Sequence, residues 1–197
     1  MNKDILQQRR KAQLKAKRLR STLIIGGSVL LVGSFLGLLT WNNIKPLAGE
    51  EVPHLEDATE HVAEGSDPGP YSSNPPTSGR HYDIPLPAGF YDKDNPLVQS
   101  PYPEGYLLHN LEHGYIVFWY NCAVLDEGSC TNLKSQIKSM IDDFQENKLI
   151  GFPWPDMDTP LALASWGQLQ VFDSFDEGAA RAFIKTNRNQ APEPNTP

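Results

Sequence analysis

Cysteine is nearly missing from this chain: two occur in 197 residues, Cys122 and Cys130. Their Cys-x7-Cys spacing is neither the CxxC of a redox pair nor the spacing of a zinc ribbon. Basic residues are scarce too, once the first twenty positions are set aside. That head carries Lys3, Arg9, Arg10, Lys11, Lys15, Lys17, Arg18 and Arg20 against one acid, Asp4. Removing it from totals of 17 basic and 24 acidic residues leaves 9 and 23, a balance of −14. A surface that acidic excludes nucleic-acid binding by general phosphate neutralisation. It suits cationic partners, metal ions or plain solubility. A P-loop, a dinucleotide fingerprint, a GxSxG elbow and internal repeats are also missing, which removes the activities those motifs serve.

Charge is absent from one long stretch. Residues 22–41 read TLIIGGSVLLVGSFLGLLTW, twenty residues and about the length that crosses a hydrocarbon core. Basic residues crowd its amino side, and Lys45 is the only one between Trp41 and Arg80. By the positive-inside rule residues 1–21 form a cytoplasmic head, 22–41 a single transmembrane helix, and the remainder lies outside the cell membrane. A cleaved signal peptide is the competing reading. Its apolar core is normally shorter, and the Pro46-Leu47-Ala48 stretch is a poor small-x-small site. Gly33 and Gly37 have GxxxG spacing, a weak sign of helix pairing. In an oxidising exterior, Cys122 and Cys130 are expected to form a disulfide.

Beyond the span, residues 42–53 read as a polar linker, 54–190 as an extracytoplasmic domain and 191–197 as a disordered tail. Residues 64–105 are dense in Pro, Gly, Ser and Asn, which excludes regular helix and disfavours central strands. Tyr71, Tyr82, Phe90, Tyr91, Tyr102 and Tyr106 offer too much area to bury for this to be a disordered stretch. An ordered, irregular wrap over the core is expected. Regular patterns follow. Residues 107–113 suit two helical turns stopped by Gly114. Residues 115–120, YIVFWY, suit a central strand. Leu133, Ile137, Met140, Ile141 and Phe144 have helical spacing, with Thr131 or Asn132 as N-cap. Residues 161–166 and 169–172 flank Gly167-Gln168 as a hairpin, and 176–188 close the chain as a helix with Ala179, Ala180, Phe183 and Ile184 inward. The order β-α-β-β-α predicts an α+β fold, a small antiparallel or mixed sheet with helices on one face.

Histidine is the residue with chemistry to spare. The five are His54, His61, His81, His109 and His113. His109 and His113 are four apart and share one face of a helix. Two imidazoles one turn apart suit a divalent ion, with Glu112 as the carboxylate that orients a ring or as a ligand itself. A helix end carrying polar groups is the bland alternative. The stretch NPPTSGRH ends a rigid turn in His81, a natural way to deliver a third ligand, although turn chemistry alone explains its Pro and Gly. Met157 is a soft side chain that suits packing better than copper.

The blocks HVAEG, YSSNPPTSGRHY, LLHNLEHGYIVFWY and PLALASWGQLQVFDSFDEGAARAFI resemble domain-of-unknown-function family 3105, a bacterial and often membrane-anchored family. The resemblance runs over roughly residues 55–188. Where that family usually has SGPH, this chain has Arg80 before the histidine, so one backbone restraint is gone while the histidine stays. The resemblance marks His61, His81, His109, Glu112 and His113 as the site and supplies no activity.

A nitrogen-rich site of this kind suits copper or zinc and disfavours calcium and magnesium. His81, His109 and His113 are the expected metal ligands, with His61 fourth and Glu112 in support. The expected role is metal handling, sensing or structure in a membrane-anchored, non-enzymatic domain. Two alternatives stand beside it: a non-catalytic protein-interaction module presenting the aromatic wrap to a partner, and a zinc-dependent hydrolase using His109-x-x-Glu112-His113.

Overall fold

A computed structural model describes residues 15, 20, 23–28, 30–35 and 46–196. The chain divides into two units, Met1–Lys45 and Pro46–Pro197. In the first, residues 23–28 and 30–35 are helical with exposed side chains. Among the described residues no helix is long and apolar enough to cross a membrane. The span expected over 22–41 lies partly outside the described residues, as do most of the basic head and residues 42–45.

The second unit is built on one six-stranded mixed sheet. Its strands are β1 (Glu50–Glu51), β4 (Gly89–Phe90), β5 (Ile116–Tyr120), β6 (Leu149–Pro153), β7 (Leu161–Ser165) and β8 (Gln168–Phe172), in the order β1-β8-β7-β5-β6-β4. β4, β6 and β5 run parallel, while β5, β7, β8 and β1 pair antiparallel. A separate parallel pair joins β2 (His61–Val62) to β3 (His81–Tyr82). Three helices complete the unit: α1 (Glu104–Glu112), α2 (Glu127–Asp143) and α3 (Glu177–Asn187).

All five residues of β5 are buried, as a strand covered on both faces must be. Alternation sends Ile116, Phe118 and Tyr120 to one face, where they meet Leu133, Ile137, Met140 and Ile141 of α2 and Ala180, Phe183 and Ile184 of α3. Val117 and Trp119 face the other way, into a second core with Leu107, Leu108 and Leu111 of α1 and with Tyr82, Tyr91 and Tyr106. Each large side chain fully buried in this way stabilises the fold by about 1.5–3 kcal/mol. The helices therefore divide between both faces rather than sharing one, because α1 and the irregular wrap together form a layer of their own.

Other differences have local causes. α2 begins at Glu127, since Asp126 rather than Thr131 or Asn132 caps it, its carboxylate accepting from Ser129 N at 2.9 Å. The strand β6 was not expected: five residues interrupted by Gly151 and ended by Pro153 carry little periodicity. A Cβ at Gly151 would stand 2.7 Å from Cδ2 of the neighbouring Phe90 ring. The stretch read as a linker enters the sheet as β1, and Ala48 N donates to Asn187 Oδ1 at 2.8 Å. Nor does the described part of the tail hang free. Glu193 N donates to Glu112 O at 3.0 Å, and Lys148 Nζ donates to Pro194 O and Thr196 O. The expected disulfide joins Cys122 to Cys130.

Candidate metal centre

Three separate segments deliver the site. The first two meet through the β2–β3 pair, whose register sets His61 directly beside His81. Adjacent residues in a ladder project to the same side, so both rings point toward α1. The stretch before β3 is shaped by Gly79, whose φ is +150° and where a Cβ would stand 2.7 Å from Tyr71 Cδ1. Arg80 holds the same loop from outside, donating to Gly69 O at 2.5 Å and pairing with Asp57 at 3.5 Å. The restraint that a proline at this position would supply is here supplied by a side chain.

The third segment is the C-terminal turn of α1. Gly114 N donates to Leu111 O and Tyr115 N to Asn110 O, the paired closure of a Schellman end. Gly114 takes φ +81°, and a Cβ there would lie 2.6 Å from Asn189 Cα. Asn110, fully buried, exchanges two 2.9 Å hydrogen bonds with the backbone of Leu86 and ties the wrap to the helix. Sequence reasoning passed over Asn110; an amide between His109 and Glu112, beside Leu107, Leu108 and Leu111, was its only signal.

These segments bring His61, His81, His109 and Glu112 together, with one ligand atom from each lying within 4.8 Å of every other. The three imidazole centroids form a near-equilateral triangle of 4.8, 5.2 and 5.2 Å. His81, His109 and Glu112 are buried, whereas the His61 side chain is 43% exposed. In a tetrahedral shell with bonds of ~2.0–2.1 Å, ligand atoms stand about 3.4 Å apart. The cluster needs a contraction of roughly 1.4 Å across a pair at the 4.8 Å limit to reach that spacing, and His61 is the exposed member of the four.

The polar accounting fits an ion. His81 Nδ1–H donates to Gly79 O at 2.8 Å, and Nε2 faces Glu112 Oε2 at 2.9 Å. A backbone carbonyl only accepts, so Nδ1 holds its hydrogen and Nε2 is turned to the cluster, the orientation of a metal-binding imidazole with its second nitrogen fixed. His109 is neutral: burial, with the neighbouring His113, His81 and His61 rings, lowers it to about 4. Its Nδ1 is buried without a hydrogen-bond partner among the described residues, an expensive state for a polar atom. Asp83 lies 3.9 Å from His61 Nε2 and is itself exposed, so the open side of the cluster carries extra negative charge.

His113 shares the expected face with His109, their centroids 4.3 Å apart, yet stands outside the group of four. It lies 3.6 Å from Glu193, and Lys148 donates to its carbonyl. The H-x-x-E-H pattern of a zinc hydrolase asks both histidines to hold one ion while the glutamate acts as base. Here one of the two histidines is outside the group, and Glu112 is inside it. His54 is elsewhere, stacked on Trp166 at 5.5 Å with its Nδ1 2.9 Å from Ser78 Oγ. Met157 is buried in the apolar core of the α1 face.

Residues 61–197 match the family described as protein of unknown function (DUF3105). The chain belongs to that family. Neither a curated protein nor a solved structure matches it. The DUF3105 match begins at His61 itself, so all four clustered side chains lie within it.

Proposed function

We propose that this domain holds one transition-metal ion, copper or zinc, through His61, His81, His109 and Glu112. The observation that carries the reading is the convergence of three imidazoles and one carboxylate from three segments, three of the four being buried. Imidazole suits both metals, and three nitrogens with one oxygen disfavour calcium and magnesium. Bound there, the ion would supply positive charge and Lewis acidity. Four protein ligands fill a tetrahedral shell, which favours holding an ion over turning over a substrate. An exposed fourth ligand favours exchange with the surroundings, so handling of the metal is the role that fits best.

We infer also that the domain lies outside the cell membrane. The basic head and the apolar stretch 22–41 support a single-pass anchor with the domain outside the cell membrane. The Cys122–Cys130 disulfide is compatible with that compartment.

Elemental analysis of the full chain, purified in detergent and incubated with copper or zinc, tests the metal reading. About one ion per chain is expected, lost in a His81→Ala/His109→Ala variant and kept in His113→Ala. A full chain that retains neither metal after dialysis overturns it.

A further inference from the structure

Away from the histidines, a cleft of about 860 Å³ opens between the wrap, the end of β5, the first turns of α2 and the segment after β6. That volume lies within the range of small-molecule sites. Its walls are fastened to one another. The Cys122–Cys130 disulfide ties the exit of β5 to α2. Lys134 bonds both oxygens of Asp92 and so ties α2 to the wrap. Asn121 Nδ2 donates to Pro155 O and Met157 O, and Trp154 Nε1 donates to Asn74 Oδ1 at 2.7 Å. Held this way, the walls stay apart around a space that no side chain of the domain fills, and a preformed site of that kind costs a ligand little ordering.

The lining has a chemical bias. Tyr102 and Trp154 present partly exposed aromatic surface to the cleft. Glu104 also lines it and is only 7% exposed, with Tyr71 Oη donating to it at 3.3 Å. Of the other charged groups, Asp92 and Lys134 neutralise each other. Exposed Glu127 and Asp156 outweigh exposed Lys93 at the rim. An inner carboxylate, aromatic faces and a net negative rim are the features that recognise an organic cation.

We propose that this cleft is a binding site for a small organic cation, an alkylammonium or guanidinium compound whose charged group pairs with Glu104 and whose body lies against Trp154 and Tyr102. Burial raises the Glu104 carboxyl, so a bound cation also relieves the cost of keeping that group ionised. The site is separate from the histidine cluster and does not rest on it.

Calorimetric titration of the full chain in detergent tests the assignment, with Nα-acetyl-arginine amide and spermidine as probes and Nα-acetyl-citrulline amide as the uncharged counterpart of the first. At least one cation is expected to bind, more than tenfold tighter than Nα-acetyl-citrulline amide. Glu104→Gln is expected to weaken it at least tenfold, and removal of the rim cation in Lys93→Gln to tighten it. His81→Ala/His109→Ala should leave cation binding unchanged, which separates this site from the metal reading. Equal binding of Nα-acetyl-arginine amide and Nα-acetyl-citrulline amide, or no binding of either cation to the wild-type chain, overturns the proposal. So does undiminished affinity in Glu104→Gln, and Lys93→Gln checks the charge argument should that buried variant misfold.

Discussion

His81 is held between two oxygens, the carbonyl of Gly79 at 2.8 Å from Nδ1 and the carboxylate of Glu112 at 2.9 Å from Nε2. One fixes the ring and the other meets the edge that carries Nε2. Substituting either support should act through this imidazole. Glu112→Gln keeps the shape but loses an anionic ligand, and metal affinity is expected to fall more than tenfold, about 1.4 kcal/mol or more. Competition against a chelator of known affinity measures it, and a Glu112→Gln chain that competes like the wild type would remove the carboxylate from the site.

In the proposed metal site, the exposed His61 should behave differently from the buried members. His61→Ala leaves His81, His109 and Glu112 in place, so the chain should still take up the ion but release it faster. His109→Ala should abolish stoichiometric uptake. Stopped-flow transfer to a chelator separates the two, and equal release from wild type and His61→Ala would show that the ion does not leave by that side.

Gly79→Ala places a Cβ against the Tyr71 ring in a backbone conformation that strains an L-residue. A loss of about 1–3 kcal/mol of stability is expected, together with weaker metal binding because the Gly79 carbonyl shifts. Urea unfolding and the same chelator competition read both effects. A stability loss without an effect on metal would detach the loop from the centre.

Histidine 109 gives the metal-free chain a pH signature. Its folded-state value, about 4, lies below the unfolded value of about 6.5. Between these values the unfolded chain binds the extra proton, so stability is full above about pH 6.5 and falls as pH drops toward 4. Urea unfolding in chelator at pH 7, 5.5 and 4.5 should show this slope, and His109→Asn should flatten it. An unchanged slope in the variant would assign the titration to another group.

Replacing both Cys122 and Cys130 by serine opens a short loop, with an expected loss of about 2–3 kcal/mol in the chain-entropy account. Neither sulfur is in the histidine cluster, so metal stoichiometry should persist. Loss of the ion on reduction would point to a structural link between cleft and centre.

What the sequence revealed divides along local and non-local lines. The strand around Phe118, the helix through His109, the hairpin at Gly167 and the helix holding Phe183 each follow from residues a few positions apart. His109 and His113 were paired on the same local ground, and their rings do lie 4.3 Å apart. Convergence in the cluster of four has another origin: a parallel ladder of two residues each, too short to leave a period, joins His61 to His81 across twenty positions. Such a contact is set by the folded wrap and by Asn110 and Arg80, whose bonds run to backbone atoms distant in sequence. β6 escaped for a related reason, since its burial comes from neighbours on both sides rather than from alternation within itself.

The ammonium of Lys148 meets carbonyl oxygens of His113, Pro194 and Thr196 at 2.8, 2.9 and 3.0 Å, one for each of its hydrogens. Through it, the last residues of the chain grip the turn that follows Glu112. Digestion by a carboxypeptidase should therefore pause near Glu193 instead of running on to the end of α3. A purification handle fused after residue 197 would pull on the far wall of the histidine cluster.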